Sequence, residues 1–189
     1  MITLLTLLAC SGEQTASAPP PSRVDAVVAA PKKEASLDEV CEMRADAATA
    51  KTFALPELDG PPMAKGAGWT WVNVWATWCA PCIEEMPMLV AWQARLAKEG
   101  VDVALQFLSV DAKAEDVTTW RGKNPKAPPS MRLAEIGKLG PWLETIGLDA
   151  SAVLPIHLFV DPDQKIRCVR MGSVGEPEYA AIKQVFQGG

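Results

Sequence analysis

Two cysteines, Cys79 and Cys82, sit where an apolar run hands over to a helical pattern, in WATWCAPCIEEMP (75–87). The run before them, WTWVNVWA (69–76), reads as a buried strand, and CIEEMPMLVAWQARLAKEG (82–100) places apolar residues at helical spacing up to a glycine stop. The pair therefore falls at a helix N-terminus, where free backbone N–H groups and the macrodipole favour an anion such as a thiolate. A Cys-X-X-Cys pair in that place has a first thiol more acidic than free cysteine. This makes Cys79 the attacking thiol and Cys82, one turn in, the resolving one. Two intervening residues also let one helical turn close a small disulfide ring. Pro81 fits the first helical turn, where a missing N–H costs little, whereas Pro87 lies inside the helix and predicts a kink.

Two other uses of the pair compete with this one. Zinc needs four ligands, and the chain offers one histidine and no second close cysteine pair. An inert buried disulfide suits an exported protein, but the strand, the helix start and the proline favour a reactive pair. Glu85 lies three residues beyond Cys82 on the same helical face. It either relays the Cys82 proton or is, like Glu84, a solvated first-turn acid.

The rest of the chain alternates. Strands are predicted over 101–111, 153–161 and 165–172, the last two as a hairpin about PDQ, and helices over 112–124, 140–148 and 176–187. A short helix is predicted over 36–51 behind a Ser36 cap, and FALPELDG (53–60) reads as a strand or extended piece ending in a turn. Strands alternating with helices, closed by a hairpin, give an α/β architecture with a central mixed sheet flanked by helices, carrying an N-terminal extension. At 189 residues, 49% of them hydrophobic, the chain can build one core and a tail. A net charge of −5 argues against a nucleic-acid or anionic-membrane surface.

The N-terminus reads separately. Residues 1–9 are nearly all apolar and end in Cys10, followed by small and polar residues including APPPS. The pattern reads as an export signal. LLAC resembles the lipobox of bacterial lipoproteins, which implies cleavage before Cys10 and a lipidated mature N-terminus serving as a membrane anchor. The alternative is an accidentally apolar N-terminus with an ordinary thiol; no Lys or Arg precedes the run. Residues 10–36 then form a flexible linker to a domain over 37–189.

WATWCAPCIEEMP closely resembles the active-site segment of thioredoxin-fold proteins. It is most similar to the TlpA/ResA-like membrane-tethered thiol–disulfide oxidoreductases, with their W-C-x-P-C-x-x-E-x-P pattern. FALPELDG, WVNVWATW and VLPIHLFVDPDQKI match further segments, so the likeness covers about residues 50–189. The resemblance implies a thioredoxin-like fold, with Cys79 and Cys82 as the redox dithiol and Glu85 as the active-site acid. It implies that Pro155 is a cis-proline facing the dithiol and presenting backbone to substrate. Trp78 becomes a surface for partners, against the alternative of core packing. Ile156 and His157 stand where the family commonly has threonines. His157, the only histidine, suits either a satisfied structural side chain or a metal or acid–base role. Copper-delivery proteins of this fold use a longer cysteine spacing, and no metal or other cofactor is expected.

Cys41 and Cys168 are left over, and in an oxidising compartment two such thiols pair or stay buried and free. The implied function is thiol–disulfide exchange in the bacterial periplasm or cell envelope, in the direction of reduction. The partners would be disulfide-containing envelope proteins such as apocytochrome c, and a membrane electron donor. The rivals are a thioredoxin-like binding or metal-docking module without turnover, and an oxidase or isomerase.

Overall fold

A computed structural model describes residues 33–60 and 68–188. The signal segment, Cys10 and most of the linker lie outside the described residues. The sheet has seven strands in the order β1-β7-β6-β3-β4-β5-β2, formed by β1 (Met43–Arg44), β2 (Leu58–Asp59), β3 (Trp69–Trp75), β4 (Val103–Ser109), β5 (Ser130–Leu133), β6 (Ile156–Val160) and β7 (Ile166–Met171). β3 runs parallel to β4 and antiparallel to β6, so the sheet is mixed. Its central strands read as near-continuous apolar runs because both faces are covered; all five residues of β6 are buried.

Five helices pack around it: α1 (Leu37–Val40), α2 (Ala80–Lys98), α3 (Ala114–Lys123), α4 (Leu139–Ile146) and α5 (Tyr179–Phe186). Trp71 on β3 stacks on Phe159 of β6, with ring centroids 5.3 Å apart, and meets Trp92 of α2 at 6.4 Å and Phe186 of α5 at 5.8 Å. This aromatic knot fastens α2 and α5 to one face of the sheet. α4 is amphipathic, burying Trp142, Leu143 and Ile146, and ends at Gly147, whose φ of 92° is the left-handed C-cap that glycine adopts without a Cβ clash.

The predicted helix over 36–51 is four residues long. The capping box forms as the sequence suggests: the Ser36 N–H donates to Glu39 at 2.6 Å, and the Glu39 N–H donates to Ser36 Oγ at 3.3 Å. Cys41 then turns to an extended conformation, and Met43–Arg44 pair with β7 as an edge strand. Edge pairing and the Cys41 side chain override the good helix formers that follow. Lys33–Ser36, given to the linker by composition, already meet the domain, since the Ala35 N–H donates to the Pro177 carbonyl at 2.8 Å.

The extended piece 53–60 contributes only β2. β5 has no counterpart among the predicted strands: it is short, and NPKAPP before it reads as loop. It is held instead by hydrogen bonds, the Arg132 guanidinium reaching the Asp59 carboxylate and the Asp111 and Ala134 carbonyls. The predicted strand over 153–161 begins at Ile156, after Pro155, because proline cannot donate to a central ladder.

Candidate active site

β3 ends at Trp75, and four residues later Cys79 caps α2. The turn between them is pinned by Asp111, which is buried just beyond β4. Its carboxylate accepts from the Thr77 N–H at 3.0 Å, from Thr77 Oγ1 at 2.6 Å and from Ser109 Oγ at 2.7 Å. The Trp75 indole N–H donates to Ser130 Oγ at 2.8 Å. The cysteine pair is therefore presented by a rigid corner. α2 runs 19 residues, and no side chain of its N-cap residue hydrogen-bonds across its start. Its first N–H groups and macrodipole stay directed at the sulfur of Cys79. α2 continues unbroken through Pro87, whose missing N–H removes the bond to the Ile83 carbonyl.

Cys79 and Cys82 are disulfide-bonded, with Cα atoms 5.3 Å apart. Cys82 is fully enclosed, whereas Cys79 lines an open groove of roughly 580 Å³ shared with Trp78, Pro81, Ile136, Val153 and Leu154. Trp78 is 70% exposed, which removes core packing as its role. The Leu154–Pro155 bond is cis, and Leu154 and Ile156 on either side of the proline both line the groove with Cys79. The motif and the residues flanking the proline, far apart in sequence, thus meet at one opening.

Three residues beyond Cys82 on α2, Glu85 enters a buried polar cluster. Glu85 is 4% exposed, whereas Glu84 is exposed, so Glu85 is not a solvated first-turn acid. Its Oε1 accepts from Asn73 Nδ2 at 2.8 Å, and its Oε2 accepts from the Val174 N–H at 3.1 Å. His157, fully buried, places Nε2 3.3 Å from Glu85 Oε1 and receives the Trp71 indole N–H on Nδ1 at 3.2 Å. Asn73 and Trp71 are not among the residues that the sequence singles out. A signal exists: Asn73 is the one amide in the mostly apolar β3, and a buried amide needs partners. Among the described residues, no three His, Cys, Asp or Glu side chains converge as metal ligands.

Cys41 and Cys168 are bonded to each other, and neither lines the groove. The bridge fastens the C-cap of α1 to β7, next to the β1 pairing at Arg44 and Cys168.

Comparison with known proteins agrees with this geometry. No family model matches the chain. It is 28% identical over 122 residues to the thiol-disulfide oxidoreductase ResA of Bacillus thuringiensis subsp. konkukian, covering 62% of this chain and 64% of the relative. It is 35% identical over 75 residues to the thioredoxin-like protein YneN of Bacillus subtilis, covering 38% and 44%. The chain thus spans under two thirds of the length of the first relative and under half of the second. Among solved structures, a thioredoxin-related protein from Neisseria meningitidis serogroup B superposes with a TM-score of 0.52 at 25% identity, covering 69% of this chain and 96% of that one. A DsbF homologue from Corynebacterium diphtheriae gives 0.57 at 17% identity, covering 77% and 90%. Fold and site together define a thioredoxin-fold protein with a Cys-X-X-Cys pair. Within that class, the relatives support the TlpA/ResA-like family that the active-site segment resembles.

Proposed function

We propose that the protein is a thiol–disulfide oxidoreductase that reduces partner disulfides through Cys79 and Cys82. The observation that carries this is the dithiol at the start of a long helix, open to a groove and followed three residues along the same helix by a buried carboxylate. The Cys79 thiolate attacks one sulfur of the partner disulfide, whose other sulfur leaves as a thiolate. Cys82 then gives up its proton, with Glu85 as acceptor, and attacks Cys79 Sγ. The partner's second sulfur leaves with the electron pair of the broken mixed disulfide. The partner has gained two electrons, and the Cys79–Cys82 disulfide must be reduced again by an upstream thiol donor. Trp78 and the backbone flanking Pro155 form the contact surface for the partner chain in this scheme.

The N-terminal pattern and the resemblance to membrane-tethered oxidoreductases support the following setting. Cys10 carries a lipid, the domain works in the bacterial periplasm or cell envelope, and a membrane donor supplies electrons. Its partners are disulfide-containing envelope proteins, apocytochrome c among them.

The deciding experiment equilibrates the Cys79–Cys82 couple against glutathione and dithiothreitol series. A reduction potential near or below about −270 mV is expected of a reductase, and one near about −120 mV would make the protein an oxidant. A couple that cannot be titrated at all would leave a binding module.

A further inference from the structure

The one histidine of the chain has no part in the exchange steps, yet it lies fully buried against the carboxylate those steps use. Its protonation is readable from its neighbours. The Trp71 indole N–H is a donor only, and it meets His157 Nδ1 at 3.2 Å. Nδ1 must therefore present a lone pair, and the ring proton sits on Nε2. Protonating Nδ1 as well would set two donors face to face in a buried site. Nε2 lies 3.3 Å from Glu85 Oε1 and has no hydrogen-bond partner elsewhere among the described residues. The contact falls short of hydrogen-bond geometry and is an electrostatic approach of Nε2 to Oε1. Because Nε2 carries the proton, Oε1 can only accept.

A carboxylate offers about four lone-pair positions. Asn73 Nδ2 and His157 Nε2 face Oε1, and the Val174 N–H takes one position on Oε2. A single position, on Oε2, is left. We propose that His157 is a positioning residue of the exchange site: locked by Trp71 as the neutral Nε2–H tautomer, it closes Oε1 of Glu85, so that the Cys82 proton is taken on Oε2. This rests on the oxidoreductase reading. In the step, the Cys82 S–H bond breaks, the Oε2–H bond forms, and the sulfur keeps the electron pair with which it attacks Cys79.

The other groups around the imidazole do not compete for this role. From β3 come Asn73 and Trp71, neither of which titrates. From β6 itself, Phe159 stacks at 6.4 Å. From β7, Arg170 stands opposite His157 in register but sends its guanidinium to the Glu39 carbonyl at 3.1 Å and the Glu42 carboxylate at 3.8 Å. From α2 come Glu85 and, one turn earlier, Cys82.

Two measurements test the proposal. With one histidine, the imidazole nitrogens of the ¹⁵N-labelled protein give a single spin system. At neutral pH it should show protonated Nε2 and bare Nδ1, and Trp71→Phe should release it to a mixture of tautomers. A protonated Nδ1 in the wild-type protein would overturn the proposal. The second measurement follows resolution of a preformed mixed disulfide on Cys79 as a function of pH. His157→Leu opens Oε1 to protons, so the acid limb of the profile should move about one unit to higher pH, a tenfold gain in proton affinity. His157→Gln offers an acceptor to Trp71 and a donor to Glu85, and should restore the wild-type profile. Superimposable profiles for all three proteins would also overturn it. If the protein resolves no mixed disulfide, the oxidoreductase reading fails, while the tautomer measurement still decides the Trp71 lock separately.

Discussion

The two disulfides of this chain look alike as bonds. Each joins residues whose Cα atoms are 5.3 Å apart, and burial barely separates them, with Cys79 5% exposed and Cys41 6%. They differ in the loop each closes and in what stands beside it. Cys41–Cys168 spans 127 positions and Cys79–Cys82 spans three. In the chain-entropy account, the first restrains the unfolded state by about 5 kcal/mol and the second by under about 2 kcal/mol. Opening the short ring costs the fold little, and it has a groove beside it and the buried Glu85 carboxylate three residues along the same helix. The long bridge instead holds α1 and the edge strand β1 against β7. Stability and reactivity are thus assigned by loop length and neighbours, not by the bond or its exposure.

The sharpest way to break this contrast is to exchange the losses. Cys79→Ser should abolish turnover of a disulfide peptide while the denaturation midpoint stays near that of the wild type. Wild-type turnover in that variant would mean that another thiol attacks, and the division of labour would fall. Removing the other bridge, by Cys41→Ala with Cys168→Ala, should lower unfolding stability by about 2–5 kcal/mol. The folded fraction should exchange thiols at the wild-type rate. A fall in that rate per folded molecule would show that the clamp supports the site after all.

Glu85→Gln keeps the size and one donor–acceptor group but removes the proton acceptor. Resolution of the mixed disulfide should slow roughly 10²-fold, with the first attack by Cys79 little changed. The two steps are separated by following mixed-disulfide formation and decay in a stopped-flow trace. If both slow together, Glu85 serves the structure of the corner rather than the proton of Cys82.

The reactive region is legible in sequence because its chemistry is local. Strand, cysteine pair, helix start and acid all fall between Trp69 and Glu85, and each position has a physical reason to be there. The clamp is half legible: elimination leaves Cys41 and Cys168, but only the sheet shows that α1 stops early and that β1 lies along β7. The hidden part is whatever depends on elements far apart in the chain. Asn73, Glu85 and His157 converge from β3, α2 and β6, and the Trp71–His157 bond spans 86 positions. Their trace in sequence is a buried amide in one mostly apolar strand and a histidine in another, a signal that says a partner exists without naming it. β5 escapes for a related reason, since Arg132 and Ser130 are stabilised by hydrogen bonds that no periodicity records.

The smallest expected effect lies at the clamp's outer end. The Ser36 N–H and side chain hold the Glu39 carboxyl below the usual carboxylate range, and Lys33 helps. A group lowered on folding contributes stability that is present above its unfolded pKa and lost as pH falls through the folded value. For Glu39 this means the capping box is intact at neutral pH and fades below about 4.5. α1 should therefore fray in acid, first where the disulfide no longer tethers it. The comparison is made in the Cys41→Ala, Cys168→Ala background, with and without Glu39→Gln, whose amide cannot ionise. At neutral pH the Val40 amide should be better protected against hydrogen exchange when Glu39 is kept than when it is replaced. The two should converge once pH falls below the lowered folded pKa of Glu39, where the side chain is neutral in both. A difference that persists in acid would assign the effect to packing of the side chain. With the bridge intact the same comparison should shrink, because the tether holds α1 whatever the charge on its cap.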